Sequence, residues 1–367
     1  MSDNKTIAIA AEIAPAKTLI PVIEKLKDFE KEKSLNWDKT KIIGLYHGES
    51  SKNILNEICD EIYSIGEGRR GNKKTNPSKL VYYIITDIFK AIKVMRGKNI
   101  DLLLTCGNAG DVRKSIIAAY FLKIPVLHIE QDIYNPIEVI GLTNQITVPS
   151  KDYINFMKDT YGLKNIVNIN GYPMVKYTLD SLKQDNIYSS IKDYVLVLLG
   201  GDIKDEELPE LIYKLENLTY PVIIAPYRFD KKLVENLISS NSIKVLDNYV
   251  NLPDFTYNAK ALIYAAGMGM TIEAGVLNIP SIKIKGFHKT HGSVDLARKL
   301  NIPIVPISDI NDELINSLET TSNNNLIENS YTSIDSIVDL INNFNPNLNK
   351  GGFKSIKRIW NQRKQFR

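Results

Sequence analysis

Short runs of β-branched and aliphatic residues alternate along this chain with longer stretches in which apolar positions recur every three to four residues. "TIAIAA" (6–11) is the first such run, and it leads into the amphipathic stretch ending "LIPVIEKLKDFEKEK" (19–33). "KIIGLY" (41–46), "DLLLT" (101–105), "IPVLHI" (124–129) and "QITV" (145–148) follow, most of them separated by enough chain for a helix. After "GYP" at 171–173 the series restarts with "YVLVLL" (194–199), "PVIIA" (221–225), "IKVL" (243–246), "ALIYA" (261–265) and "PSIKI" (280–284). Short unbroken apolar runs mark buried strands, and a period near 3.6 marks helices. Strands alternating with helices predict parallel sheets joined by right-handed crossovers. Two series of similar length predict an α/β chain of two Rossmann-like domains, their parallel sheets facing each other across a cleft. The expected division is 1–173, then 174–345, then a basic C-terminal helix over 346–367. The Asn- and Ser-rich tail from 321 carries a surface-helix pattern near 333–343. In "FKSIKRIWNQRKQFR" the helical spacing of Ile356, Ile359 and Trp360 predicts packing near the domain junction rather than on lipid.

Composition narrows the function classes. A chain of 367 residues, 44% apolar and 24% charged, is long enough for two ordinary soluble domains. No apolar run approaches the ~20 residues of a membrane-spanning helix, and the start lacks the basic-then-apolar pattern of a secretory signal. Cys59 and Cys106 make neither a disulfide framework nor a zinc spacing, and read as buried thiols in a reducing cytoplasm. A net charge of +4 is too slight to argue for a nucleic-acid partner. Clustering matters more: Arg69, Arg70, Lys73, Lys74 and Lys79 directly precede "LVYYIITDIFKAIKVM".

Glycines recur where the predicted strands end. "LLTCGNAGDV" places Gly107 and Gly110 after one strand, "VLVLLGGDI" places Gly200 and Gly201 after another, and "LIYAAGMGMTIEAG" places Gly267 and Gly269 after a third. Glycine there permits a sharp turn and close approach of backbone N–H groups to a ligand. A helix beginning just beyond offers an N-terminus suited to phosphate. Three such loops point to a phosphorylated ligand at the carboxyl ends of the strands. Glu273 follows within about one turn of the last loop. A carboxylate there suits the hydroxyls of a ribose, and equally suits the favourable end of a helix dipole.

"AAGMGMTIEAGVLNIPSIKIKGFHK" resembles the donor motif of the lipid-linked N-acetylglucosamine transferases of peptidoglycan synthesis, the MurG type within the GT-B glycosyltransferases. Matching positions are Gly267, Glu273, Pro280, His288 and Lys289. "IPVLHIEQDIYNPIEVIGLTNQIT" is similar to that family's H-E-Q-N segment at Glu130, Gln131 and Gly141–Asn144, and "NGYPMVK" resembles its G-N-P-V-R turn with Lys176 for the arginine. "GNAGDV" stands where the family has its second glycine loop, and "GGD" where it has G-G-S. The pieces run in order from about residue 60 to 300.

The resemblance implies a GT-B fold and inverting sugar transfer from a UDP-sugar to a lipid-linked cell-envelope precursor. Donor contacts would come from Lys176, Gly200, Gly201, Gly267, Gly269, Met270, Thr271, Glu273, His288 and Lys289, and acceptor contacts from Gly107, Asn108, Gly110 and Gln131. The base would be Glu12, Asp111 or Glu130. His128, in an apolar strand, reads first as a core histidine. No Asp-x-Asp triplet is present, so no metal or other cofactor is expected. The basic cluster and the apolar helix after it would dock on an anionic membrane, placing a cytoplasmic protein peripherally on the inner face of the cell membrane.

Departures open two other readings. The family's first glycine loop, with its histidine, is replaced by "AAEIAPAKT"; the paired glutamines after H-K are Gly292 and Ser293; and the serine of G-G-S is Asp202, an acid where phosphates should approach. "GDVRKSIIAAYFLKIPVLHIE" also resembles the G-D and H-V-E segments of the UDP-GlcNAc 2-epimerases, although their G-T-R-P-E opening and G-D-S-G-G loop are missing. An inactive scaffold retaining nucleotide-sugar binding is the third reading.

Overall fold

The computed structural model describes residues 4–66, 77–182, 193–227, 229–247, 252–286, 291–320 and 324–366. The chain divides into two compact units. The first comprises residues 1–174 with Asn329–Gln365, and the second comprises Val175–Glu328 with the last two residues.

The first unit is built on β1 (Asn4–Ala10), β2 (Lys39–His47), β3 (Glu61–Gly66), β4 (Leu102–Cys106), β5 (Val126–Ile129), β6 (Gln145–Val148) and β7 (Ile166–Asn168). They pair in parallel in the order β3-β2-β1-β4-β5-β6-β7. The crossovers carry α1 (Ile13–Lys31), α2 (Gly48–Asn56), α3 (Pro77–Arg96), α4 (Gly110–Leu122) and α5 (Asp152–Tyr161).

The second unit opens with α6 (Met174–Ser181) and repeats the plan. Its strands are β8 (Val195–Leu198), β9 (Val222–Ala225), β10 (Ile243–Val245), β11 (Ala261–Tyr264), β12 (Ser281–Ile284) and β13 (Ile304–Val305). All pair in parallel in the order β10-β9-β8-β11-β12-β13. Its helices are α7 (Leu208–Glu216), α8 (Lys231–Glu235), α9 (Leu252–Tyr257), α10 (Met268–Leu277), α11 (Gly292–Lys299) and α12 (Asp312–Ser317). α13 (Asn324–Asn342) and α14 (Gly352–Phe366) follow.

The central strands are continuous apolar runs because helices cover both faces of each sheet. Every residue of β4, β5, β8 and β11 is buried. β3, β7 and β13 lie outside the ten expected strands. All three are sheet edges, short or half-exposed, and lack the unbroken apolar run of a strand paired on both sides. In both sheets the strand order reverses beside the first strand, between β1 and β4 and between β8 and β11. In open α/β sheets, ligands bind at such a reversal, beyond the carboxyl ends.

The tail differs from its expectation. Residues 329–345, expected with the second domain, belong with the first unit through 345 and on to Gln365. α13 begins at Asn324 and covers the expected 333–343 helix, a surface helix whose apolar face, Ile334, Ile337, Val338 and Ile341, is buried while Asp335 and Asp339 stand exposed. Lys5 Nζ donates to Ile341 O at 3.0 Å. α14 also packs on the first unit: Ile359 is fully buried, and Arg363 donates to Glu138 at 2.7 Å and to Asn135 at 3.0 Å.

Candidate functional site

At the reversal in the first sheet, the loop after β1 and the loop after β4 run together. Gly107 has φ +84°, and a side chain there would meet Pro15 Cγ at 2.4 Å, so only glycine lets the β4 loop lie against the start of α1. Glu12 precedes α1 in extended conformation with its side chain exposed. Asp111 sits in the first turn of α4, fully buried. Its Oδ1 accepts the Val112 N–H at 2.8 Å, while Oδ2 is buried without a hydrogen-bond partner. Burial first, and the Glu12 charge second, push the Asp111 carboxyl up to about 7. Two carboxyl groups whose environments differ in this way can divide acid and base roles between them.

Glu130 is engaged differently. Its Oε1 accepts the N–H groups of Gln131 and Asp132 at 2.9 and 2.8 Å, and its Oε2 lies 3.3 Å from His128 Nε2. His128 is fully buried, with Nδ1 2.9 Å from Thr105 Oγ1, in keeping with a satisfied core histidine. The geometry makes Glu130 an acceptor that fixes the loop after β5. Gln131 Nε2 donates to Thr18 Oγ1 at 2.8 Å. Asn108 is exposed and reaches Asn135 O at 3.5 Å. Cys106 is buried, and burial raises its thiol well above the ordinary range.

One cluster escaped the sequence reading. A side chain at Gly110 would lie 3.8 Å from His47 Nδ1. His47 ends β2, and its Nε2 is 3.5 Å from the ammonium of Lys114, which is ion-paired to Asp87 of α3. Burial, then the Lys114 charge, push His47 down to about 4, so it is neutral at physiological pH. These three residues come from three distant segments, and no local motif announces them.

In the second unit, Gly200 is required by close approach: a side chain would meet Ala265 O at 2.0 Å. Gly201 is open. Gly267 precedes α10, with Gly269 and Met270 in its first turn. The carbonyls of this turn are tied inward. Ala265 O accepts from Asp202 N (3.2 Å), Ala266 O from Lys283 Nζ (2.7 Å), and Gly267 O from Thr271 N and Oγ1 (3.4 and 3.3 Å). The first N–H groups of a helix have no intrahelical partner, and the start of α10 is therefore able to offer them to an anion.

Other expected donor residues are occupied within the unit. Thr271 is fully buried and accepts from Tyr264 OH at 3.1 Å. Glu273 is buried, and its Oε1 accepts from Thr256 Oγ1 at 3.0 Å. Lys176 is half-buried and paired with Asp180 at 2.5 Å. His291, unnoticed in the sequence, accepts the Ser293 N–H on Nδ1 at 3.1 Å, and its ring lies 3.5 Å from where a Gly267 side chain would stand. His288 and Lys289 lie outside the described residues. Among the described residues no group of three or more His, Cys, Asp or Glu is placed to hold a metal ion.

Arg69, Arg70, Lys73 and Lys74 also lie outside the described residues, as does the side chain of Lys79. The helix that follows them is described. α3 and α4 bound an apolar groove of about 990 Å³ lined by Ile85, Ile88, Phe89, Ile117 and Phe121, with Lys93 and Arg96 at its edge. Phe89 is 67% and Phe121 64% exposed. No helix among the described residues is long and apolar enough to cross a membrane.

No protein-family model matches the sequence, and neither does any curated protein. Solved structures do. The UDP-GlcNAc 2-epimerase of Methanocaldococcus jannaschii, in complex with UDP-GlcNAc and UDP, matches with a TM-score of 0.61 at 18% identity over 98% of each chain. The UDP-GlcNAc 2-epimerase of Neisseria meningitidis bound to UDP-GlcNAc matches at 0.62 and 15% identity, over 99% of this chain and 100% of that one. MurG of Acinetobacter baumannii matches at 0.50 and 16%, over 92% and 99%. The chain therefore has the two-unit, parallel-sheet α/β fold of these UDP-GlcNAc epimerases and of MurG.

Proposed function

We propose that this chain is a UDP-sugar enzyme that inverts C2 of a UDP-linked N-acetylhexosamine, the chemistry of a UDP-GlcNAc 2-epimerase. The observation that carries the reading is Asp111, fully buried in the first turn of α4 with Oδ2 unpartnered and its carboxyl pushed up to about 7 by burial and then by the Glu12 charge. Inverting C2 requires one group to take its proton while the electron pair forms a C1–C2 double bond and UDP leaves C1, and another group to return a proton to the opposite face as UDP re-adds at C1. A group poised as acid and a neighbouring carboxylate poised as base meet that need. Transfer of a sugar with inversion requires one base only. The diphosphate would bind the N-terminus of α10, whose inward-tied carbonyls leave the amide donors outward. Glu273 would take the ribose hydroxyls by exchanging its bond from Thr256. No metal is required in this reading, since no Asp-x-Asp triplet is present to hold one against the diphosphate.

The second reading, transfer to a lipid-linked acceptor at the inner membrane face, is favoured by one observation: the exposed aromatic groove on α3 and α4 with basic residues at its edge. Incubation with UDP-GlcNAc alone, and with a panel of lipid-diphosphate sugars, separates the two. The epimerase reading predicts a second UDP-sugar, chromatographically distinct, without any acceptor and after EDTA treatment. Release of UDP only when a lipid-linked sugar is added would favour the transferase. UDP binding without turnover in either assay would leave the inactive scaffold.

A further inference from the structure

β12 places Lys283 beneath the two glycine loops of the second unit. Its side chain is 1% exposed, and Nζ lies 3.8 Å from Asp202 Oδ2. The same ammonium donates to Ala266 O at 2.7 Å and stands 5.2 Å over the Tyr264 ring. Asp202 directly follows Gly200 and Gly201, and a side chain at Gly286 would meet its Cβ at 2.4 Å, so the β8, β11 and β12 loops converge on this one pair. A buried lysine is costly for a sheet, and burial holds Lys283 below its ordinary pKa, with Asp202 acting to raise it again. An apolar side chain of similar volume would serve β12 as well or better. The neighbouring turn gives the lysine its use. An unpaired carboxylate at Asp202 would repel a diphosphate, and an untied Ala266 carbonyl would be free to turn toward one.

We propose that Lys283 is a positioning residue for a nucleoside diphosphate: it cancels the Asp202 carboxylate and pins the Ala266 carbonyl under the turn, leaving the start of α10 electropositive. The proposal rests on the reading of α10 as the diphosphate seat. It accounts for an acid standing where the transferase family has serine.

Calorimetric titration of the full chain with UDP, and separately with uridine, tests it. Lys283→Met should weaken UDP about 10- to 100-fold, because it leaves the Asp202 carboxylate uncancelled against the diphosphate, while uridine affinity stays put. Adding Asp202→Asn to that variant should recover most of the loss, because the uncancelled carboxylate goes with it. Asp202→Asn alone, which keeps the lysine, should bind UDP at least as tightly as wild type at low salt; weaker binding overturns the proposal even if Lys283→Met does not fold. Equal UDP affinity in wild type and Lys283→Met overturns it while leaving the diphosphate seat intact. A wild-type protein that ignores UDP removes the seat and the proposal together.

Discussion

Asp111 couples function to stability through its proton. Its carboxyl rises from an ordinary 3.8 to about 7 in the native state. Between those values the native protein keeps a proton that the unfolded chain has released, so stability falls as pH rises from about 4 to about 7, and the loss is complete above that. Asp111→Asn removes the burden. Thermal melts at pH 4, 6 and 8 should show the variant gaining on wild type as pH rises, by a few kcal/mol at most, with turnover abolished. An identical shift at all three values would mean that Asp111 is not held protonated. His47 has the opposite sign, pushed from 6.5 to about 4, and contributes a loss of stability as pH falls through that window. Asp111 stood out because a glycine loop follows β4, and Glu12 only because it stands near where the resembled family has its first glycine loop, which is absent here. Lys283 was not: within "PSIKI" it reads as a polar residue alternating toward solvent, and only the fold puts it under the Gly267 turn.

Elements were legible in proportion to their burial. Nine of the ten apolar runs became strands paired on both sides and the tenth became β10, a sheet edge, while the edges β3, β7 and β13 escaped because an edge strand needs no continuous apolar run. α13 and α14 were visible as helices, but no local pattern says that Ile341 and Arg363 bond to the first unit rather than the second. α3 is the element whose exposed face calls for a partner, since Tyr82, Ile85 and Phe89 stand in solvent. If that face meets an anionic membrane, replacing Phe89 and Phe121 with Asp should abolish co-sedimentation with anionic liposomes at low salt. Wild-type binding should itself fall steeply as the Debye length shortens from ~30 Å at 0.01 M to ~10 Å at 0.1 M. Indifference of the wild-type protein to liposomes at low salt would detach the groove from membranes and weaken the lipid-linked reading.

For the whole molecule, the doubled α/β plan was readable from two series of strands, and each unit reverses its strand order beside a glycine loop. The choice between two chemistries on one fold was not readable, because it depends on protonation and on how side chains from separate loops meet. The account's central claim is that a proton leaves and returns at C2 of a UDP-linked sugar with no acceptor present. Proton NMR of UDP-GlcNAc incubated with the wild-type protein in D₂O, without lipid and without added metal, tests it most directly. The account predicts loss of the C2 proton signal and growth of resonances from a second UDP-sugar carrying deuterium at C2, both absent with Asp111→Asn. A UDP-GlcNAc spectrum unchanged by a protein that calorimetry shows to bind UDP would contradict it.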